Sequence, residues 1–236
     1  KVGGRTVRKI RPIVWLVFFF SGASGLLYEV IWTRQLTLIF GSTVFAVSTV
    51  LTAFMAGLAL GSFYLGRLVD KETHPLRLYA ILEAGIGVFA LIFPLLLSVL
   101  NAVYILIYRG LHAEFYSLSL IRFVLSFLVL LIPSTLMGGT LPVLSKFFVE
   151  RLGRLGFNVG LLYALNTFGA VAGCVGAGFF LIQFVGVQQS LYLGAAINLI
   201  VAGVAFVLDR RWDVSEDGIM SAIHSIQESS VSPENA

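Results

Sequence analysis

The chain has 236 residues, of which 58% are hydrophobic and only 12% are charged, and its net charge is +4. Soluble domains carry about 25% charged residues, so the composition excludes an ordinary soluble protein and predicts an integral membrane protein. The single cysteine, Cys174, excludes an internal disulfide and a cysteine-based metal site. We expect a lipid bilayer around the chain and no nucleic acid among its partners.

Six apolar stretches, each long enough to cross a bilayer as a helix, follow a basic segment of residues 1–11. The predicted spans cover residues 12–36, 43–66, 76–108, 117–147, 158–184 and 188–208. Together they form one all-α membrane domain, residues 12–208, followed by a polar tail, residues 209–236, that we expect to be frayed. The expected kinks in the two longest spans lie at three prolines, Pro94, Pro133 and Pro142.

The distribution of cations predicts the orientation of these spans. With the N-terminus in the cytoplasm, every one of the 16 Lys and Arg residues except Arg34, Arg109 and Arg122 falls in a cytoplasmic segment. Because cytoplasmic loops are enriched in Lys and Arg, both termini are predicted to be cytoplasmic.

An internal repeat relates the first three spans to the last three. The Ser-x-x-x-Gly pattern at 21–25 recurs at 134–138, and Leu78–Tyr79 recurs as Leu191–Tyr192, both at an offset of 113. A third pair of similar segments, 45–49 and 163–167, is offset by 118. Three spans in each direction predict a 3+3 inverted repeat, as in one six-helix half of a major facilitator transporter.

Small residues recur every four positions in several spans, and such ladders mark close contact between helices in lipid. The ladders begin at Ala53, Gly169 and Gly194 and continue every fourth residue, through Asn198 in the last case. The glycines that we expect to pack against neighbouring helices are Gly25, Gly57, Gly61, Gly169 and Gly173.

The first span ends in a polar stretch that contains Glu29. Gly25 and Thr33 lie one turn before and one turn after Glu29, so these three residues share a small and polar helix face. This pattern favours a carboxylate that faces the interior of the bundle, because a charge facing lipid is unfavourable. The alternative is an interfacial Glu29 that reaches headgroups or water.

A second carboxylate, Glu83, lies in the third span, which runs in the same direction as the first. The two carboxylates are separated by about 16 Å along the membrane normal, so they are not expected to share a proton. They would suit two anchors for an elongated cation. Alternatively, each carboxylate pairs with a nearby polar residue to fix the fold. The candidate polar site therefore comprises Glu29, Arg34, Glu83, Tyr28 and Asn166.

No catalytic, cofactor or metal site is predicted. The three histidines, His74, His112 and His224, are scattered among two loops and the tail without a partner at ligand spacing.

Several motifs together resemble the N-terminal membrane domain of fused major-facilitator/spermidine-synthase-like proteins. They occupy residues 21–34, 40–49, 75–83, 133–142 and 160–167, and the resemblance spans residues 16–207. Members of that family usually continue into a Rossmann-like aminopropyltransferase domain, and this sequence contains no glycine-rich strand–turn–helix motif for an adenosyl cofactor. The resemblance implies the membrane half of such proteins and no enzymatic activity in this chain.

Two functions are compatible with these features. The chain is either a non-catalytic membrane module that binds or passes a small organic cation such as a polyamine, or a structural subunit that anchors a larger membrane complex. Expected partners are a separate soluble synthase domain, other membrane subunits or a second copy of the chain. The expected location is a bacterial inner membrane.

Overall fold

The structure, a computed structural model, describes the backbone of residues 2–70, 72–111, 115–152 and 155–231. Side chains are described for residues 12–70, 72–109, 117–148 and 159–211. Within these ranges the chain is almost entirely helical. The helices are α1 (Val2–Phe40), α2 (Thr43–Val69), α3 (Pro75–Leu111), α4 (Phe115–Leu152), α5 (Leu155–Val175), a π-helical segment (Gly176–Leu181), α6 (Ile182–Phe184) and α7 (Val187–Val231).

The described residues contain six helices that are long and apolar enough to cross a membrane, which confirms the predicted all-α membrane fold. These spans run over Pro12–Phe40, Thr43–Val69, Pro75–Arg109, Ser117–Phe148, Val159–Phe184 and Val187–Arg211. The fifth span combines α5, the π-helical segment and α6. Each span agrees with its predicted range to within a few residues at either end.

Two tight connections are made by glycine. Gly41, between α1 and α2, and Gly186, between α6 and α7, have φ angles of 67° and 96°. This left-handed conformation ends a helix at little steric cost only when the residue has no Cβ. The amide of each glycine donates a hydrogen bond of 3.0 Å back to the preceding helical turn, so both helix ends are capped.

The predicted kinks stay a prediction, and one expectation about irregular structure is not met. Helices α3 and α4 stay helical past Pro94, Pro133 and Pro142, so the prolines do not end either helix. Helix α7 continues to Val231 beyond the last apolar residues, so the described part of the polar tail is a helical extension and not an irregular one. An extension needs no apolar face of its own when a packed helix has already nucleated it.

The most extensive helix contacts join helices that are mostly not consecutive in the sequence. Helix α1 packs on α5 and α7, α2 packs on α4, and α3 packs on both α4 and α7. At one membrane face, the ammonium of Lys146 in α4 donates hydrogen bonds to the carbonyls of Val69, Asp70 and Glu72. The ammonium group thus satisfies carbonyl groups at the C-terminal end of α2, where the helix dipole favours positive charge.

Glycines seat α2 on α4. A Cβ added to Gly57 would overlap Ser134, and one added to Gly61 would overlap the carbonyl oxygen of Thr135. From the opposite side, a Cβ added to Gly138 would overlap the backbone of Leu58. Two of the predicted packing glycines thus lie where the helix backbones touch.

Glycines bring α1 and α5 together in the same way, and we call these two backbone contacts, α2 on α4 and α1 on α5, the glycine seams. A Cβ on Gly169 would overlap the carbonyl oxygen of Phe19, and one on Gly173 would overlap that of Ala23. Gly25 differs from the other four, because a Cβ added there would meet only the sulfur of Met137, 4.0 Å away. Gly25 therefore does not seat a neighbouring helix closely.

The buried apolar side chains form two clusters, one toward each membrane face. One cluster contains Phe18, Tyr79 and Phe148, and the other contains Tyr28 and Trp32. Between the clusters, the spans carry small and polar residues: Ser21 to Gly25 in α1, Glu83 in α3, Ser134 to Thr140 in α4, Asn166 in α5 and Asn198 in α7. The bundle thus has a polar layer between two apolar layers.

Candidate functional site

Glu83 is the centre of the polar layer. It is fully buried in α3 and accepts a hydrogen bond on each carboxyl oxygen. The hydroxyl of Ser21 donates to Oε1, and Nδ2 of Asn198 donates to Oε2 at 2.5 Å. The carboxyl group therefore joins three helices that are far apart in the sequence, α1, α3 and α7.

Two tyrosines complete the immediate surroundings of this carboxyl group. The hydroxyl of Tyr28 donates to Oδ1 of Asn198 at 2.7 Å, which orients the amide so that its nitrogen faces Glu83. Tyr79, one turn before Glu83 in α3, is also fully buried. Its hydroxyl lies beside Ser21 and Glu83 but has no hydrogen bond of normal geometry within the described residues.

The partners of Glu83 are neutral. Among the described residues, no Lys, Arg or His side chain forms an ion pair with its carboxyl group. A charge in the middle of a membrane costs about 2.5–3.5 kcal/mol unless it is compensated. A carboxyl group held in this way can take up a proton or attract a cationic ligand.

A cavity of about 100 Å³ adjoins this group of residues. Ser21 and Asn198, which bind Glu83, also line the cavity, and each of the six spans contributes at least one lining residue. The polar part of the wall includes Ser24, Thr140 and Asn166, and the remainder includes Phe54, Leu58, Ile86 and Met137. The cavity is therefore central in the bundle and has one polar side.

The side-chain amide of Asn166 lies in the cavity wall and is available for hydrogen bonding. It is half-buried and forms no hydrogen bond with another described residue. Its backbone carbonyl lies against Gly22 of α1, so the close approach of α1 and α5 holds this amide at the cavity. A ligand in the cavity could use both the donor and the acceptor of the amide.

The structure brings together three of the five residues in the predicted polar site. Tyr28 and Glu83 are linked through Asn198, and Asn166 reaches the same region across the cavity. Glu29 is half-buried and forms neither a hydrogen bond nor an ion pair with another described residue. Arg34 is exposed and lies outside this region.

Sequence reasoning did not include Ser21, Tyr79 and Asn198 in the site. The signal for Asn198 was present, because a lone amide in an apolar span rarely faces lipid. The four-residue spacing places Asn198 in a small-residue ladder and so hides its polar role. The ladder itself is a packing feature, since Gly194 contacts Tyr28. Ser21 and Tyr79 carry no comparable signal, since hydroxyls in membrane helices often bond to their own backbone.

No group of three or more His, Cys, Asp or Glu side chains within the described ranges is arranged to hold a metal ion. The chain matches no protein family, no curated protein and no solved structure. The geometry around Glu83 is therefore the main indication of function.

Proposed function

We propose that this chain is a non-catalytic integral membrane module that binds or passes a small organic cation at Glu83. The observation that carries this proposal is a fully buried carboxyl group whose two neutral hydrogen-bond partners, Ser21 and Asn198, line a central cavity. An ammonium group supplies the positive charge that the neutral partners of this carboxylate lack, and it can donate to the lone pairs that Ser21 and Asn198 leave free.

The size of the cavity limits what can enter it. Since a water molecule takes about 30 Å³ of liquid volume, a cavity of about 100 Å³ holds about three or four non-hydrogen atoms. One terminal ammonium of a polyamine fits within that space, and the rest of the molecule does not. We therefore favour a ligand held by one end at Glu83 over one stretched between Glu83 and Glu29.

The pairing of the helices supports the proposed 3+3 repeat. If span 1 corresponds to span 4 and span 2 to span 5, the α1–α5 contact corresponds to the α4–α2 contact. In these contacts, Gly61 meets Thr135 and Gly173 meets Ala23. Gly173 follows Gly61, and Thr135 follows Ala23, by the same 112 residues. This agreement supports a relationship to one half of a facilitator-like transporter.

The wider assignments are proposals as well. The resemblance to the membrane half of spermidine-synthase-like proteins supports a polyamine as the cation and a separate soluble synthase domain as a partner. The asymmetry of Lys and Arg supports cytoplasmic termini, and we place the chain in a bacterial inner membrane.

A second candidate is a structural subunit that anchors a membrane complex or pairs with a second copy. In its favour, Ser21 and Asn198 already bind both oxygens of Glu83, so the carboxyl group could serve only to hold α1, α3 and α7 together. A group with that role would need no ligand.

Calorimetry on the purified full chain distinguishes the two candidates, with propylamine, putrescine and spermidine as ligands. We expect the wild type to bind amines and Glu83→Gln to bind at least about 30-fold more weakly, because a buried charged partner is lost. The matched control is Glu29→Gln, which removes a carboxylate with no hydrogen bond to the described residues of the cavity wall and should bind as the wild type does.

Thermal unfolding of each variant shows whether it is folded. The cation proposal is wrong if the folded wild type binds none of the three amines. It is also wrong if folded Glu83→Gln binds them with unchanged affinity. Either result would favour the structural subunit.

A further inference from the structure

A groove lies between α1 and α7 on the outer surface of the bundle, away from the central cavity. It encloses about 280 Å³ and is lined only by apolar side chains. Helix α1 contributes Ile13, Val17 and Phe20, among others, and α7 contributes Ile197, Ile200 and Val204. Ile200 is 66% exposed, so the groove opens to the lipid.

One end of this groove lies near an exposed cation, Arg211, at the membrane face of the basic segment, residues 1–11. The N-terminus of α1 and the far end of the sixth span lie at the same membrane face, because the number of spans is even. Residues 1–11 contain five Lys and Arg residues and no acidic residue, whereas residues 209–217 of α7 contain two Arg and four acidic residues, so the two segments together carry more basic than acidic residues. In α7, Arg211 is exposed and follows Val204 by seven residues, which places it on the same helix face.

We propose that this groove binds one acyl chain of an anionic phospholipid whose phosphate is held by Arg211 at the groove end. The site is separate from Glu83 and does not depend on the proposed cation-binding function. Its wall offers dispersion contacts to a flexible hydrocarbon chain and no hydrogen-bonding group. Basic groups at the end of a membrane helix attract anionic headgroups.

A lipid fits the groove better than a helix of a second copy does. One turn of an α-helix with its side chains, about 10 Å across and 5.4 Å long, occupies about 420 Å³. That is more than the groove of about 280 Å³ can hold. Helices also associate in lipid through small residues, and the groove is lined by branched aliphatic residues and a phenylalanine. The charge at its end adds a preference for an anionic headgroup.

Native mass spectrometry of the full chain tests the proposal, with phosphatidylglycerol and phosphatidylcholine that carry identical acyl chains. We expect phosphatidylglycerol to be retained preferentially at equal lipid concentration. Ile200→Trp fills the groove and should abolish this retention. The control is Leu193→Trp, a substitution two turns earlier in the same helix, at a residue that is 42% exposed and does not line the groove.

A second pair of variants tests the headgroup. Arg211→Gln should weaken phosphatidylglycerol binding about fivefold and leave phosphatidylcholine binding unchanged, since one cation near the surface of an anionic membrane is lost. Arg34→Gln, at the opposite membrane face, should have no effect on either lipid.

Three outcomes would overturn the proposal. The first is equal retention of the two lipids by the wild type, and the second is retention of phosphatidylglycerol by Ile200→Trp at the wild-type level. The third is a dimer that disappears in Ile200→Trp, which would show that a second copy occupies the groove. Amine binding plays no part in this experiment. A result that overturns the lipid proposal therefore does not affect the proposed cation-binding function.

Discussion

The glycine seams and the polar layer hold the same bundle together in different ways. In the seams, the backbones of α1 and α5 and of α2 and α4 touch directly, and an added Cβ would overlap the neighbouring helix. In the polar layer, Glu83, Ser21 and Asn198 join α1, α3 and α7 through side-chain hydrogen bonds beside a cavity.

The difference shows how rigid helix packing and a cavity that can admit a ligand coexist in one small membrane domain. Backbone contacts leave no room for a ligand, and they tolerate almost no change in volume. Hydrogen-bonded side chains tolerate some change, because the energies of single bonds between membrane helices are small. We therefore expect the seams to determine whether the bundle folds and the polar layer to determine what it binds.

The largest effect is expected in a seam. Gly61→Leu should prevent folding or destabilise the protein by more than about 3 kcal/mol, because the side chain would overlap the backbone of Thr135. Gly203→Leu is the matched control, since no atom lies within 4 Å of a Cβ added there. Expression and thermal unfolding in detergent measure both variants. Similar stability of the two would show that α2 and α4 do not pack through Gly61.

A smaller effect is expected in the polar layer. Tyr28→Phe removes the donor to Asn198 and should destabilise the protein by about 0.6–1.7 kcal/mol, the range for single hydrogen bonds between membrane helices. Tyr163→Phe removes the hydroxyl of a side chain that is 61% exposed and should change little. Chemical denaturation in mixed micelles compares the two. If the variants do not differ, the hydrogen bond of Tyr28 contributes nothing to stability.

The smallest effect is expected at Glu29. Glu29→Gln should change the free energy of unfolding by less than about 0.5 kcal/mol, as for a substitution away from packed or hydrogen-bonded groups. Thermal unfolding with and without spermidine checks both stability and binding. Loss of spermidine binding in this folded variant would restore the two-anchor hypothesis, in which both carboxylates hold one elongated cation.

The sequence alone determined the membrane class, the six spans and four of the seam glycines, Gly57, Gly61, Gly169 and Gly173. These features follow from local rules. A span needs about 20 apolar residues, and a close contact between membrane helices needs small residues one turn apart. Gly57 and Gly61 satisfy that spacing within one helix, so their role could be predicted without knowledge of the partner helix.

Only the tertiary structure decided which carboxyl group occupies the centre of the bundle. Glu29 has a small and polar helix face and Glu83 has none as clear, yet Glu83 is the fully buried one. Its partners Ser21 and Asn198 lie 62 and 115 residues away in the sequence. Whether a polar side chain is lipid-facing, interfacial or paired depends on which helices surround it, and that arrangement is set by packing across the whole bundle.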